Sequence, residues 1–164
     1  MSVRGPLRTR SSALLACSNR ALAVGYPRDV SELEHQGLTT FVIDGARFQD
    51  LDGFYQEVDK EMMGGESWGR NLDAFNDILH GDMGRVPSNE TFILVWRNSA
   101  RSRTALGHAE TARWLRANLD HVHPTNRATN ERRAEAAERG EGETLYDTLV
   151  RIIRHHENIA FRLE

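Results

Sequence analysis

Residues 91–96 of this 164-residue chain read TFILVW, and they give the clearest indication of its fold. A nearly continuous apolar run rich in β-branched and aromatic side chains is typical of a strand buried on both faces, in the middle of a sheet. A second strand is predicted at Thr40–Ile43, closed by Asp44-Gly45. A third is predicted at 158–163, where alternate side chains face inward: Ile159, Phe161 and Leu163.

Segments with helical spacing separate these strands. The first begins at an N-cap, Asp50, and ends at Gly64-Gly65, and the second runs from Asn71 to about Gly81. Helices between successive strands favour parallel pairing through right-handed crossovers. The predicted fold class is therefore α/β, a small three-stranded parallel sheet packed with helices.

The segment between the second and third strands is less regular. Residues 102–119 return to helical spacing, and His121–Asn130, which is polar and contains one proline, is predicted to be a loop. The Ala-rich, charged stretch Glu131–Arg139 is predicted to be a short exposed helix. Thr144 then begins the last helix, with its apolar face formed by Leu145, Leu149, Ile152 and Ile153.

Charge divides the chain into three parts. Residues 1–37 carry five basic against three acidic groups, 38–97 carry five against eleven (net −6), and 98–164 carry eleven against ten. An acidic middle third repels nucleic acid and attracts basic proteins, so we expect no nucleic-acid partner. Residues 1–37 show no sustained period and are predicted to be a weakly ordered extension.

The single cysteine and the hydropathy of the sequence indicate the cellular location to expect. The single cysteine, Cys17, excludes an internal disulfide and favours a reducing, cytoplasmic setting. Its apolar flank, Ala13–Ala16, is shorter than the roughly 7–15 residues of a signal peptide. Nowhere does an apolar run approach the roughly 20 residues of a membrane span, so no membrane association is expected.

The most informative stretch for function is 67–81, SWGRNLDAFNDILHG. At about 100° per residue, its apolar residues share one helix face and its polar residues the other. Asp73 and Asp77 are one turn apart on the polar face and have no neighbouring helical cation, which is a mild cost that a basic partner would remove. Trp68, beside Gly69, is an exposed aromatic candidate of the kind that anchors interfaces.

This stretch resembles the signature of the barstar family of intracellular ribonuclease inhibitors, in which an aromatic-Gly-x-Asn-Leu-Asp-Ala pattern leads into the second helix. The resemblance continues in Phe92–Arg97 and in Leu145–Leu163, and in all it covers residues 40–97 and 144–164. It implies a barstar-like domain at 38–164 with an insertion at about 98–142. It also implies a monomer when free, with no cofactor, whose partner is a basic extracellular ribonuclease or a related toxin.

The resemblance also implies a site. Asp77 falls where the family places the acid that enters the cationic phosphate site of the nuclease, and Asp73 matches a second interface acid. The remaining partner-binding candidates are in the loop before the helix, on its outer face and at its end: Trp68, Gly69, Asn71, Asn76 and Gly81. Departures from the family at Ser67, Asn76, Asp82, Arg151 and His155 surround this centre and favour a different partner choice.

Three other readings compete with an inhibitor. An enzyme would need Asp73 and Asp77 as an acid–base pair, yet the sequence predicts no cleft around them and shows no nucleophile or phosphate-loop motif. A metal site is not expected, because the histidines at 121, 123, 155 and 156 lack the usual zinc spacings. The third alternative is an immunity or antitoxin protein of the same fold that binds a partner other than a ribonuclease.

Overall fold

The computed structural model describes residues 37–81, 83–88 and 90–164. The weakly ordered extension predicted for 1–37 therefore lies outside the described residues except for its last position, and so do Asp82 and Asn89. The elements follow in the order β1 Thr40–Asp44, α1 Leu51–Val58, α2 Leu72–His80, β2 Phe92–Arg97, α3 Ser99–Ala105, α4 His108–Asn118, α5 Pro124–Glu138, α6 Leu145–His155 and β3 Ile159–Leu163.

The three strands form one parallel sheet in the order β1-β2-β3, as the sequence predicts. Thr40 pairs with Ile93 in the first ladder, and Phe92 pairs with Ile159 in the second. The central strand is buried on both faces, since residues 92–96 are all at most 1% exposed. The predicted fold class is confirmed.

The main core lies between one face of the sheet and the helices. Trp96 is fully buried there, and its indole N–H donates to the Ser102 hydroxyl at 2.8 Å. The ring of Phe54 lies 5.3 Å from Trp96 and 5.2 Å from Phe75, which joins α1, β2 and α2 in one aromatic cluster. The three inward residues predicted for β3 pack against this core while keeping some exposure: Ile159, Phe161 and Leu163.

Helix α1 begins at the predicted N-cap, where the Asp50 carboxylate accepts the Gly53 N–H at 2.8 Å. Beyond Val58 the chain continues into a π-helical turn, Asp59–Met63, which ends at Gly64 with φ +62°. A π-helical turn widens the helix by one residue and changes the direction of its side chains. This turn leads directly into the loop that precedes α2.

The segment from 98 to 142 is more helical than the sequence suggests. The single helix predicted over 102–119 is two helices, α3 and α4, separated at Gly107. The loop predicted at His121–Asn130 is wrong: α5 already begins at Pro124 and runs to Glu138. A proline is well suited to the first helical turn, because its N–H would have no partner there and its φ is already helical.

Helices α4 and α5 form a hairpin that is joined to the rest of the domain through α4. The buried Glu110 carboxylate accepts the backbone N–H of Leu51 at 3.0 Å, at the start of α1. The hydroxyl of Thr111 accepts the backbone N–H of Leu145 at 2.9 Å, at the start of α6. These bonds fix the hairpin beside α1 and α6, so it is part of the same packed unit.

Candidate functional site

Helix α2 has the two faces that the sequence predicts. Asn71 caps its N-terminus by accepting the Ala74 N–H at 2.8 Å, and the Asn71 amide donates to the Gly69 carbonyl at 3.2 Å. The inner face is fully buried in the main core through three residues: Phe75, Ile78 and Leu79. This burial holds the helix and leaves its other face toward solvent.

The acidic outer face carries Asp73 and Asp77, which are both exposed. Within the described part of the chain, neither carboxylate takes part in a hydrogen bond or an ion pair. The carboxylates are one helical turn apart, so their mutual repulsion is a small unrelieved cost. Two solvated, unpaired charges of one sign are free to pair with cations of another molecule.

Negative potential extends from this face toward α1. Burial raises the pKa of the Tyr55 phenol above its usual value, and the carboxylates of Asp52 and Asp73 raise it further. The pKa of Tyr55 is therefore raised by one acid of α1 and one acid of α2, which places both carboxylates near the phenol. On the side toward α1, an acid of that helix, Asp52, therefore adds to the negative charge of Asp73.

The loop before α2 is held by Asp59, in the π-helical turn. Its carboxylate accepts the indole N–H of Trp68 and pairs with the guanidinium of Arg70. Arg70 has φ +44°, a left-handed conformation that is costly for a non-glycine residue. Asp59 thus fixes both side chains of a strained loop.

The structure corrects the prediction that Trp68 is an exposed aromatic. Trp68 is partly buried, with its ring edge-on to Tyr55 at 5.3 Å between centroids, and it packs against the main core. Its neighbour Gly69 lies close to the start of α2, where an added Cβ would lie 3.1 Å from Ala74 Cβ. The loop is therefore a fixed ledge beside the helix, with only part of the indole available to another molecule.

Gly81 ends α2 with φ +98°, where an added Cβ would lie 2.7 Å from the Pro87 carbonyl oxygen. Both the backbone conformation and the close approach require glycine. The residue therefore ends the helix and sets the direction of the following chain, and its own contribution to the surface is backbone.

The side chain and the carbonyl of Asn76 are both hydrogen-bonded, which its position on the helix does not predict. His156 Nε2 donates to Asn76 Oδ1 at 3.1 Å, and His80 Nδ1 donates to the Asn76 carbonyl at 3.0 Å. The two imidazole rings meet edge-on, 4.5 Å apart. Burial lowers the pKa of the His156 imidazole, and the nearby His80 and His155 lower it further. Asn76 therefore connects α2 to the end of α6.

A cleft of about 350 Å³ lies next to the acidic face. Helix α2 forms one wall with Asp73 and Asn76, while α6 and the α4–α5 hairpin form the others. The expectation that no cleft adjoins the two acids is wrong for Asp73, which lines this one, and the sequence also did not predict the role of Asp59. The cleft residues come from distant parts of the sequence, and Asp59 meets Trp68 and Arg70 across a loop, so a helical period alone predicts neither.

The described residues contain neither a cluster suited to bind a metal nor a helix suited to span a membrane. Across 37–81, 83–88 and 90–164, no group of three or more His, Cys, Asp or Glu side chains is placed to hold a metal ion. In those same ranges no helix is long and apolar enough to cross a membrane. The fold and the acidic helix together define a small α/β domain with a three-stranded parallel sheet and a solvated, negatively charged helix face.

Comparison with known families agrees with this class. The family profile described as barstar (barnase inhibitor) matches residues 38–138, more than half of the chain. The chain belongs to the barstar family. Inhibition of a barnase-like ribonuclease is the general role that this family suggests, and its members are inhibitors rather than enzymes.

The extent of the match adds two points. It begins at residue 38, where the domain was predicted to begin, and it runs through most of the predicted insertion. The division of the domain into a common part and an insertion at 98–142 stays a prediction. No curated protein matches the chain at a significant level.

Proposed function

We propose that this protein inhibits a basic ribonuclease by covering its active site with the outer face of α2. The observation that carries the proposal is the pair Asp73 and Asp77, exposed and unpaired among the described residues, on the acidic helix of a barstar-family domain. A ribonuclease binds phosphates through arginine and lysine side chains. Carboxylates one turn apart are suited to take the place of those phosphates.

Six of the seven candidate site residues have a role in this mechanism, and the seventh, Asn76, is engaged internally by His156. Asp77 enters the central phosphate site of the nuclease, and Asp73 pairs with a cation one subsite away. Trp68 and the Gly69 backbone cover the rim, with the ledge held in place by Asp59. Asn71 and Gly81 act mainly by fixing the two ends of the helix.

Electrostatics then determines the kinetics of binding. The net charge of −6 over residues 38–97 attracts a basic partner before contact, so association is fast at low salt and slows as salt screens the charges. The carboxylates need no rearrangement to meet the partner, because neither is paired with another of the residues that the structure describes. No cofactor takes part.

The proposal places the protein in the cytoplasm as a monomer that protects the producing cell. Its support is the single cysteine, together with the nature of the family's targets. An inhibitor of this kind acts as an immunity protein or antitoxin for a ribonuclease that is active outside the cell.

The alternative partner is a toxin other than a ribonuclease. The observation in its favour is that residues around the central acids make internal contacts: Asn76 bonds to His156, and Arg151 pairs with Glu143 at 2.9 Å. A rim of this kind presents different groups to a partner even where the central acids are kept.

Ribonuclease inhibition tests the proposal directly. Wild type, Asp77→Ala and Asp120→Ala are titrated into a basic microbial guanyl-preferring ribonuclease at low and moderate salt. Asp120 is an exposed acid in the turn after α4, so its loss matches the change in net charge. We expect inhibition by wild type and Asp120→Ala, and a loss of inhibition in Asp77→Ala with unchanged stability.

Three outcomes would contradict the proposal or the role it gives to Asp77. Equal losses in both variants would mean that net charge, and not the α2 face, governs binding. Lack of inhibition by the wild type would favour the alternative partner. Unfolding of Asp77→Ala would show that the side chain has a structural role that the exposed position does not indicate.

A further inference from the structure

We propose that the cleft beside α2 is a second recognition site, which receives an acidic side chain and an adjoining apolar side chain from the same partner protein. The inference rests on the proposed function, because it concerns the partner that α2 binds. It assigns a role to the α4–α5 hairpin, which forms part of the cleft wall. The lining residues that carry the argument are Leu72, Asp73, Trp114, Arg133, Arg151 and Ile152.

Charge is the first argument. Arg133 of α5 and Arg151 of α6 both line the cleft, against one acid, Asp73. Within the described part of the chain, Arg133 makes no hydrogen bond or ion pair. Arg151 pairs with Glu143 through Nε alone, which leaves its terminal nitrogens as donors. Two guanidinium groups with unused donors favour a carboxylate from outside.

The floor of the cleft is the second argument. Leu72, Trp114 and Ile152 are partly buried and pack against the main core, so they offer apolar surface at a fixed position. The volume of 350 Å³ is near the lower end of the roughly 300–1,000 Å³ typical of ligand pockets, which gives room for one or two side chains. An acidic residue next to an aliphatic one matches both parts of the lining.

Position is the third argument. Asp73 belongs both to the outer face of α2 and to the cleft, so a protein seated on α2 also covers the cleft opening. Nucleic acid is a poor occupant, because its phosphates would approach Asp73 and Asp77. The expected partner therefore has a basic centre flanked by an acidic and an apolar residue, and the cleft helps to select it.

A peptide titration tests the cleft without any ribonuclease. Acetyl-Leu-Asp-amide and its neutral analogue acetyl-Leu-Asn-amide are titrated while the indole N–H signal of Trp114 is followed by NMR. We expect saturable binding of the acidic peptide with a dissociation constant of about 1–10 mM. The neutral analogue, and the variants Arg133→Ala and Arg151→Ala, should each weaken binding about three- to tenfold.

Two controls separate this site from the acidic face. Arg132→Ala removes the adjacent, exposed arginine of α5, which does not line the cleft, and should leave peptide binding unchanged. Asp77→Ala should also leave it unchanged, although that variant loses inhibition. Absence of saturable binding, or equal binding of the two peptides, would overturn the cleft proposal while leaving the proposed function intact.

A second test uses the ribonuclease and asks whether reversing the charge of one arginine strengthens or weakens binding. Arg132→Glu makes the inhibitor more acidic and should tighten binding to a basic enzyme, about twofold at low salt. Arg133→Glu makes the same change in net charge but brings a carboxylate against the partner's acid, so it should weaken binding about tenfold. Equal responses of the two variants would overturn the contact, whereas loss of inhibition by the wild type would contradict only the proposed function.

Discussion

Replacing Asp59 by alanine should loosen the ledge that precedes α2 while leaving the sheet intact. The carboxylate is 24% exposed and holds two groups at once, the indole N–H of Trp68 and the guanidinium of Arg70. Both partners lie in a loop that has no regular secondary structure between Gly65 and Arg70. Without Asp59, the left-handed conformation of Arg70 loses the interaction that offsets its cost.

The size of the effect follows from the exposure of the two partners. A charge-assisted hydrogen bond to a partly buried indole is worth about 1–2 kcal/mol, because the N–H would otherwise lie half-buried without that acceptor. The Arg70 side chain is 57% exposed, so its ion pair adds only about 0.5 kcal/mol. We therefore expect Asp59→Ala to lower the free energy of unfolding by about 2 kcal/mol. Asp59→Asn, which keeps an acceptor, should lose about half as much.

Urea denaturation followed by circular dichroism measures this loss, and hydrogen exchange of the amides at 65–70 locates it. Lys60→Ala is the matched control, since that side chain is 55% exposed and, within 37–81, 83–88 and 90–164, pairs only with the adjacent Glu61. The control should change stability by less than about 0.5 kcal/mol. If Asp59→Ala and Lys60→Ala have the same stability and the same exchange rates, Asp59 does not hold the ledge.

Three further predictions concern the support of the site. Gly81→Ala should lower the free energy of unfolding by about 1–3 kcal/mol more than Gly65→Ala in urea denaturation. Both glycines have φ +98°, but among the described residues an added Cβ at Gly81 has atoms within 4 Å and one at Gly65 has none. Equal losses would exclude the steric contribution. The pKa of His156 is lowered below 6.5 in the folded state, so the unfolded chain binds a proton more readily than the folded chain does. The free energy of unfolding should therefore fall as the pH decreases from about 6.5 toward the folded-state pKa. Thermal denaturation at several pH values measures this dependence, and His156→Gln should flatten it. Thr111→Val should lower the free energy of unfolding by about 1–3 kcal/mol, because the buried N–H of Leu145 loses its acceptor, and an unchanged urea midpoint would contradict the assigned role of that bond.

The parts of the fold that the sequence predicts well are those with a strong local signal. The run at 91–96 has the length and composition of a central strand, and it is buried on both faces. Helix α2 is predicted to begin at Asn71, to follow a regular apolar period and to end near Gly81, and the structure has it at Leu72–His80 between these two residues. In each case local propensity and burial agree, so that one residue pattern permits only one structure.

The segment at 121–138 shows where this reasoning fails. Its sequence has almost no amphipathic period, so the polar residues before Glu131 were interpreted as a loop around Pro124. In the structure, Pro124 is at the first turn of α5, and the helix packs against α4 with Ala134 and Ala137 buried. Helix formation here depends on tertiary packing between small side chains, which a hydrophobic period does not record.

The surroundings of the site could be predicted only in part. The exposed positions of Asp73 and Asp77 follow from helical spacing alone. The contacts of Trp68 with Asp59, and of Asn76 with His156, depend on how a loop and a distant helix pack against α2. A sequence pattern gives the direction of a side chain on its own helix, but it does not give the groups that another element brings to meet it.

The parallel sheet has a consequence for how the molecule can change over evolutionary time. Thr40 pairs with Ile93 and Phe92 with Ile159, so each strand pairing closes a loop of more than fifty residues, and pairings between such distant residues generally slow folding. The outward side chains of α2 take no part in those pairings. Under the proposed function, substitutions at the exposed Asp73 and Asp77 would change the preferred target while leaving these pairings and the core intact, so the target can change over evolutionary time while the scaffold stays the same.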